Sequence, residues 1–243
     1  MDWNNDGRHD LLVGDANGNV QLYLNTNSNS VPSLSEGKYI QAGGTILDTG
    51  QNAAPDADDW NGDGRKDLVV GNKDGNIKIY LNTGTDASPV LASPYNLQVN
   101  GKDFVALSRA APKIYDWNRD GLKDILTGDL EGYVYYLKNV GSNKSPLFKK
   151  SIRLFLGNGD FLRYPDPAID ARSRIFVTDW NNDGLDDILV GGLNGRIMLY
   201  LSSPASSHSP LVFVKKLWTP VKADLLKLRN KLEDKFARLT GRT

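Results

Sequence analysis

The sequence predicts an all-β protein built from four copies of one sheet unit, and three observations carry that prediction. First, the 243-residue chain repeats itself: residues 2–25, 59–82, 116–139 and 179–202 align position by position, beginning DWNNDGRHDLLVG, DWNGDGRKDLVVG, DWNRDGLKDILTG and DWNNDGLDDILVG. Their first aspartates, Asp2, Asp59, Asp116 and Asp179, lie 57, 57 and 63 residues apart. Second, the apolar residues within each unit follow the period of a strand rather than of a helix. Third, the same turn chemistry recurs at the same offset in every copy.

Each element follows from local residue types. Leu11-Leu12-Val13, Leu68-Val69-Val70, Ile125-Leu126-Thr127 and Ile188-Leu189-Val190 are short, mostly apolar runs ended by Gly, the pattern of strands buried on both faces. Asn17-Gly18, Asp74-Gly75, Glu131-Gly132 and Asn194-Gly195 then supply a hairpin turn in which Gly is free to take positive φ. Alternation resumes with Val20, Leu22 and Leu24, or Ile77, Ile79 and Leu81, on one face. Residues 54–58, 112–115 and 175–178 read as strands leading into a unit. Pro32, Pro89, Pro146 and Pro210 come soon after the third strand and leave room for a fourth. Four short strands in about 57 residues is the size of a propeller blade. The expected architecture is therefore a β-propeller over residues 1–214, with units beginning near 1, 53, 110 and 173. The four either close as a compact ring or form part of a larger propeller. The first unit starts inside its loop and has no leading strand in this sequence, which favours a portion of a longer protein. In a compact ring, a closing strand within 211–218 (LVFVKKLW) would complete the first blade.

The tail differs in composition. Residues 215–243 contain nine Lys/Arg against three Asp/Glu, a charge of +6, which leaves −6 on the rest of a formally neutral chain. Thr219 can cap a helix with Pro220 in its first position, and Val221, Leu225, Leu228, Leu232, Phe236 and Leu239 share one face before Gly241. A basic amphipathic C-terminal helix is expected, docked on the sheets, mediating self-association, or meeting a membrane surface or partner. Open blade edges offer a second route to self-association.

Every unit opens with a nine-residue loop of spacing D-x-N-x-D-G-x-x-D. Side-chain oxygens stand at positions one, three, five and nine, and the residue at seven offers its carbonyl. The sets are Asp2, Asn4, Asp6, Arg8 and Asp10; Asp59, Asn61, Asp63, Arg65 and Asp67; Asp116, Asn118, Asp120, Leu122 and Asp124; and Asp179, Asn181, Asp183, Leu185 and Asp187. Ca²⁺ takes about 6–8 oxygen ligands, and a tight loop converges alternate residues on one point. Asp, Asn and Gly also fill ordinary turns. Four complete copies, each packing three carboxylates into nine residues, would however suffer like-charge repulsion without a cation. An EF-hand or dockerin places its closing acid at position twelve and follows with a helix, whereas position twelve here is Val13, Val70, Thr127 or Val190. About four structural Ca²⁺ are expected, and a loop filled by protein oxygens leaves no open position for catalysis.

With these residues in view, the chain resembles the FG-GAP/VCBS repeat family, the calcium-loop blade of integrin α-subunits and of many bacterial cell-surface proteins. The resemblance rests on DWNxDGxxD, then D-[LI]-[LV]-[VT]-G, then G-x-[VI]-x-x-[YL]-[LK]-[NS], and spans residues 1 to about 214. It implies a β-propeller with structural Ca²⁺ in each blade, extracellular, binding protein or carbohydrate. Propellers of that family commonly close with about seven blades, and this chain supplies four.

Composition excludes several other classes. With 29 basic and 29 acidic residues there is no global field to gather nucleic acid. The absence of Cys removes disulfides, thiolate metal sites and thiol nucleophiles, and suits a bacterial surface protein. No run approaches the roughly 18 apolar residues of a membrane span, and Met1 is not followed by a signal peptide. His9 lies in a loop where the other copies have Lys66, Lys123 and Asp186, and His208 sits in a Ser/Pro-rich turn, so no enzyme is expected. Trp3, Trp60, Trp117 and Trp180, identical in every unit, read as packing, with aromatic platforms for a sugar as the alternative. The non-repeated stretch between Phe148 and Arg174 contains the candidate ligand contacts Phe161, Arg163 and Tyr164, with an ordinary long connection as the plainer alternative. The expected function is a calcium-binding extracellular or cell-surface adhesion and recognition module. A carbohydrate-binding accessory module of a polysaccharide-active enzyme is the alternative, and a propeller lyase or hydrolase the third.

Overall fold

In the computed structural model the chain is described at residues 1–157, 159–164, 172–193, 195–203 and 212–219, the last stretch as backbone alone. All regular structure there is β. The tail helix expected after Thr219 lies outside the described residues, and Thr219 itself, expected to cap it, ends the strand Val212–Thr219.

The four units form separate sheets. Unit two holds the full pattern: Ala54–Asp58, Asp67–Gly71, Ile77–Tyr80 and Tyr95–Asn96, antiparallel in chain order. Unit three repeats it with Ala111–Tyr115, Asp124–Gly128, Val134–Asn139 and Phe148–Arg153, and unit four with Arg174–Thr178, Asp187–Gly191, Ile197–Ser203 and Val212–Thr219. Unit one has three strands, Leu11–Gly14, Val20–Tyr23 and Lys38–Tyr39. The register places the loop's ninth residue opposite the end of the preceding strand, as in Asp58↔Asp67 and Tyr115↔Asp124.

A short hairpin connects each unit to the next, and the sequence period did not reveal it. Ile40, Leu97 and Leu154 donate their N–H to the carbonyls of Val20, Ile77 and Val134, and accept from Leu47, Phe104 and Leu162. The part of the stretch after Phe148 that runs from Leu154 to Leu162 is therefore a copy of this connector, one residue longer than Leu97 to Phe104, and residues 165–171 lie outside the described residues.

The core lies between units rather than within them. Val69, Ile77 and Ile79 of unit two pack with Ile114, Ile125 and Leu137 of unit three. Leu68 and Val70, on the opposite side of the same strand, pack with Val20 and Leu47 of unit one and its connector. Leu126 and Tyr136 of unit three meet Ile188, Val190 and Tyr200 of unit four. Each such side chain is worth about 1.5–3 kcal/mol when fully removed from water. Trp3, Trp60 and Trp117 are buried in these same clusters, the packing role expected of them, whereas Trp180 is only half-buried.

Close approach between units explains the glycine that ends each second strand. A Cβ on Gly14, Gly71 or Gly128 would stand 2.1, 2.2 or 2.0 Å from the carbonyl oxygen of Ala53, Ala110 or Ser173, the residue just before the next unit's first strand. Among the described residues, the same addition at Gly191 meets nothing nearer than 3.8 Å.

Two expectations are corrected. Residues 212–219 do not complete unit one; they pair with Ile197–Ser203 as the outer strand of their own unit. Leu11–Gly14 pairs on one side only, so the sheets do not close among the described residues. The run Leu11-Leu12-Val13 is likewise not buried on both faces, because no described unit covers its outer side: Leu11 is 44% exposed.

Candidate metal centre

Two left-handed residues fold each loop. Position four takes φ near 60° at Asn5, Asn182 and Arg119, where Asn is well suited, and the Gly at six follows at φ 83–86°. This brings the position-one carboxylate under the following turn. Asp2 Oδ1 accepts from the Asp6 N–H at 3.1 Å and Oδ2 from Gly7 N–H at 2.9 Å, while Asn4 Oδ1 shares the Asp6 N–H at 3.2 Å. Asn4 Nδ2 in turn donates to Asp6 Oδ2 at 3.0 Å. Units two, three and four repeat this frame: Asp63 N–H to Asp59 and Asn61, Asp120 N–H to Asp116 and Asn118, and Asp183 N–H to Asp179 and Asn181, all at 3.0–3.1 Å. Oxygens of positions one and three therefore meet at the position-five N–H in all four copies, and the position-three amide donates to the position-five carboxylate at 2.8–3.0 Å.

Position nine has a different post. Asp10, Asp67, Asp124 and Asp187 are buried, and one oxygen of each accepts from the Trp N–H at position two. The other accepts from the backbone N–H of Asn25, Asn82, Asn139 or Ser202 at 2.7–2.8 Å. This carboxylate pins the loop to the end of the third strand. Oδ2 of Asp67 also accepts from Asn61 N–H at 3.3 Å and Oδ2 of Asp124 from the Tyr136 hydroxyl at 3.0 Å, so in these two the oxygen with acceptor capacity left is Oδ1. Burial pushes Asp67 up to about 6, against its backbone hydrogen bonds and with added repulsion from Asp63. Burial also raises Asp124 and Asp187, with repulsion from Asp120 and from Asp183 and Asp179 respectively. Asp67, Asp124 and Asp187 thus feel the charge of the other carboxylates in their loops. Among the described residues, no three acidic or histidine side chains stand at metal-holding separation.

A basic side chain neutralises position five in three loops. The Arg8 guanidinium meets Asp6 and donates Nε to Asn25 O at 2.7 Å, and Arg65 does the same with Asp63 and Asn82 O at 2.8 Å. In unit three, where position seven is Leu122, Lys138 on the third strand reaches Asp120 at 3.0 Å. At Leu185 the fourth loop has no basic side chain to offer.

A clamp absent from the sequence reading holds the loops of units one, two and three from the far side. Asn29 accepts from His9 N–H at 2.6 Å and donates to Gly7 O at 3.0 Å; Asn143 repeats both contacts with Lys123 and Gly121, and Asp86 accepts from Lys66 N–H at 2.7 Å. The signal was present, since each clamp stands 27 residues after its unit's first Asp. Neighbouring loops are laced together as well. Lys66 reaches Asn5 and Asp86, Lys123 reaches Asp58 and the Asp59 carbonyl, and Arg119 reaches Asp186 and the Gly184 carbonyl.

The three candidate ligand contacts separate. Tyr164 is 1% exposed, with its ring against Gly192 in the core between units three and four, and so is not a ligand contact. Phe161 is exposed and Arg163 half-buried at the surface of unit three.

The fold and the loops define an all-β protein of repeated, loop-headed sheet units. Residues 59–127, from the second loop through the second strand of unit three, match the family of FG-GAP-like repeats, which bears out the resemblance over that stretch. Integrin alpha-4 of Xenopus laevis is 28% identical over 166 residues, covering 63% of this chain and 15% of the integrin. Among solved structures, a Photorhabdus luminescens Tc holotoxin pore gives a TM-score of 0.41 at 19% identity, over 87% of this chain and 9% of that one. BBS1N in complex with ARL6DN gives 0.39 at 13% identity, over 82% and 51%.

Proposed function

We propose that this chain is a calcium-stabilised β-propeller portion of an extracellular or cell-surface protein, and that its work is adhesion or recognition rather than turnover. The supporting observation is the fourfold repetition of one oxygen-lined loop, in which a single N–H is shared between the oxygens of positions one and three. The donor set suits a hard cation. Asp2, Asn4 and Asp6, with their counterparts Asp59, Asn61 and Asp63, Asp116, Asn118 and Asp120, and Asp179, Asn181 and Asp183, would hold the ion. The carbonyls of Arg8, Arg65, Leu122 and Leu185 and the buried Asp10, Asp67, Asp124 and Asp187 complete each set. Bound Ca²⁺ would offset the repulsion between these carboxylates, and the ion would therefore act on stability by mass action. The similarity to an integrin α-subunit supports the adhesion reading.

Titration calorimetry of chelator-treated protein with Ca²⁺, followed by thermal melts with and without the ion, tests this. About four sites and a large rise in melting temperature are expected. No calcium uptake and no shift would leave the loops as turns and remove the metal from the function. A second reading, a carbohydrate-binding module, is favoured by the aromatic and basic surface of unit three.

A further inference from the structure

Unit three carries a surface that unit two lacks at structurally matched positions. Three cross-strand pairs correspond one for one: Asn76↔Val105 with Tyr133↔Arg163, Lys78↔Asn96 with Tyr135↔Arg153, and Gln98↔Asp103 with Phe155↔Phe161. In unit two the polar members satisfy one another, Asn96 Nδ2 donating to Asp103 Oδ2 at 2.7 Å and Gln98 Nε2 to Asp103 Oδ1 at 3.2 Å. In unit three the same six places hold four aromatic rings and two guanidinium groups. One backbone accommodates both sets, so the fold does not require the aromatic one.

The six side chains form a single cluster. The Arg153 guanidinium lies 4.0 Å from the Tyr133 ring centre, 5.6 Å from Tyr135 and 5.5 Å from Phe161, and Arg163 lies 4.9 Å from Tyr133. Phe161 packs edge-on against Tyr133 at 5.6 Å and lies tilted by 32° against Phe155 at 4.7 Å. Two anchors fix the arrangement: Tyr135 donates its hydroxyl to the buried Asp129 at 3.0 Å, and Arg163 Nε donates to Glu131 O at 3.0 Å. Phe155 and Phe161 remain 44% and 41% exposed. A guanidinium stacked through its face keeps its in-plane N–H edge for a planar oxyanion. The exposed rings beside it offer a flat apolar surface with low conformational entropy to lose.

We infer that this cluster on unit three binds an acidic saccharide, its carboxylate or sulfate on Arg153 and Arg163 and the face of a sugar ring on Phe155 and Phe161. The net −6 of residues 1–214 opposes a long polyanion such as nucleic acid, whereas two guanidinium groups suit a short acidic oligosaccharide. The inference names a ligand class for the recognition reading above and does not depend on the loops binding metal, so each fails separately.

The test is calorimetry on the full chain in calcium with hyaluronan hexasaccharide, chondroitin sulfate hexasaccharide and neutral cellohexaose. Binding to at least one acidic sugar, and far weaker binding to the neutral one, is expected. The triple substitution Phe155→Gln, Phe161→Asp and Arg163→Val installs the residues unit two uses, and should leave the melting temperature unchanged while weakening binding by about tenfold or more. Should the triple variant melt early, Arg153→Gln alone must show the loss. No binding to either acidic sugar, equal binding to cellohexaose, or full binding by the correctly folded variants would overturn the assignment.

Discussion

Leu11–Gly14 and Asp67–Gly71 carry nearly the same residues and occupy the same place in their units, yet their surroundings are opposite. In unit two every residue of the strand is buried, with Leu68 and Val70 facing unit one and Val69 facing unit three. In unit one only Leu12 reaches a core cluster, and Leu11 and Val13 stand outward. Unit four is the mirror case: Val177, Ile188 and Val190 are covered by unit three, whereas Phe176 is 59% exposed. Burial here is set by a unit's position in the array, and the local sequence only makes burial possible.

The largest way to break this comparison is a charge in the two strands. Leu68→Lys should cost more than about 4 kcal/mol in denaturant unfolding, since it buries an unpaired ammonium. Leu11→Lys should stay within about 0.5 kcal/mol. An equal loss at Leu11 would mean that its outward face is covered in solution. Next come the glycines. Gly71→Ala drives a methyl onto the Ala110 carbonyl and should cost about 1–3 kcal/mol, while Gly191→Ala has space and should be neutral or stabilising by about 0.4–1 kcal/mol. Similar melting shifts for the two would remove the distinction between an occupied and an open junction.

Ion pairs sharpen it further. Asp56 of unit two meets Lys113 of unit three at 2.8 Å in a shielded setting, and also accepts from Ile114 N–H at 2.7 Å. Burial raises the Asp56 pKa despite Lys113. Lys113→Met should therefore cost about 1–3 kcal/mol after allowance for screening. Arg119→Met, which removes a more exposed partner of Asp186, should cost about 0–1 kcal/mol and become smaller still in high salt. The gentlest probe is amide exchange: the Leu126 N–H should exchange only with global unfolding and the Leu12 N–H through local opening, a gap that vanishes if both strands are equally covered.

Much of this was legible in the sequence because the unit repeats. The second and third strands, the leading strands and the loop positions follow from alternation, Asn-Gly turns and the spacing of aspartates, all local signals. Three things did not follow. The connector hairpins around Ile40/Leu47, Leu97/Phe104 and Leu154/Leu162 are marked by only two apolar residues each, too sparse for a period. Tyr164 looked like a free aromatic because its partner, Gly192, is remote in sequence and yields the space for its ring. The ninth-position aspartates appeared equivalent to the other loop acids, whereas their partners are backbone N–H groups 15 residues downstream that no spacing rule flags. In each case the deciding contact is non-local.

The glycine junction also bears on how such a chain changes over generations. Because one unit's second strand closes against the carbonyl that precedes the next, no unit is complete alone, and each carries half of two boundaries. A duplicated stretch of 57 residues would bring both halves with it and dock on either neighbour without a new surface having to arise. Copy number is consequently free to drift by whole units, while a deletion of part of one would orphan apolar surface on both sides.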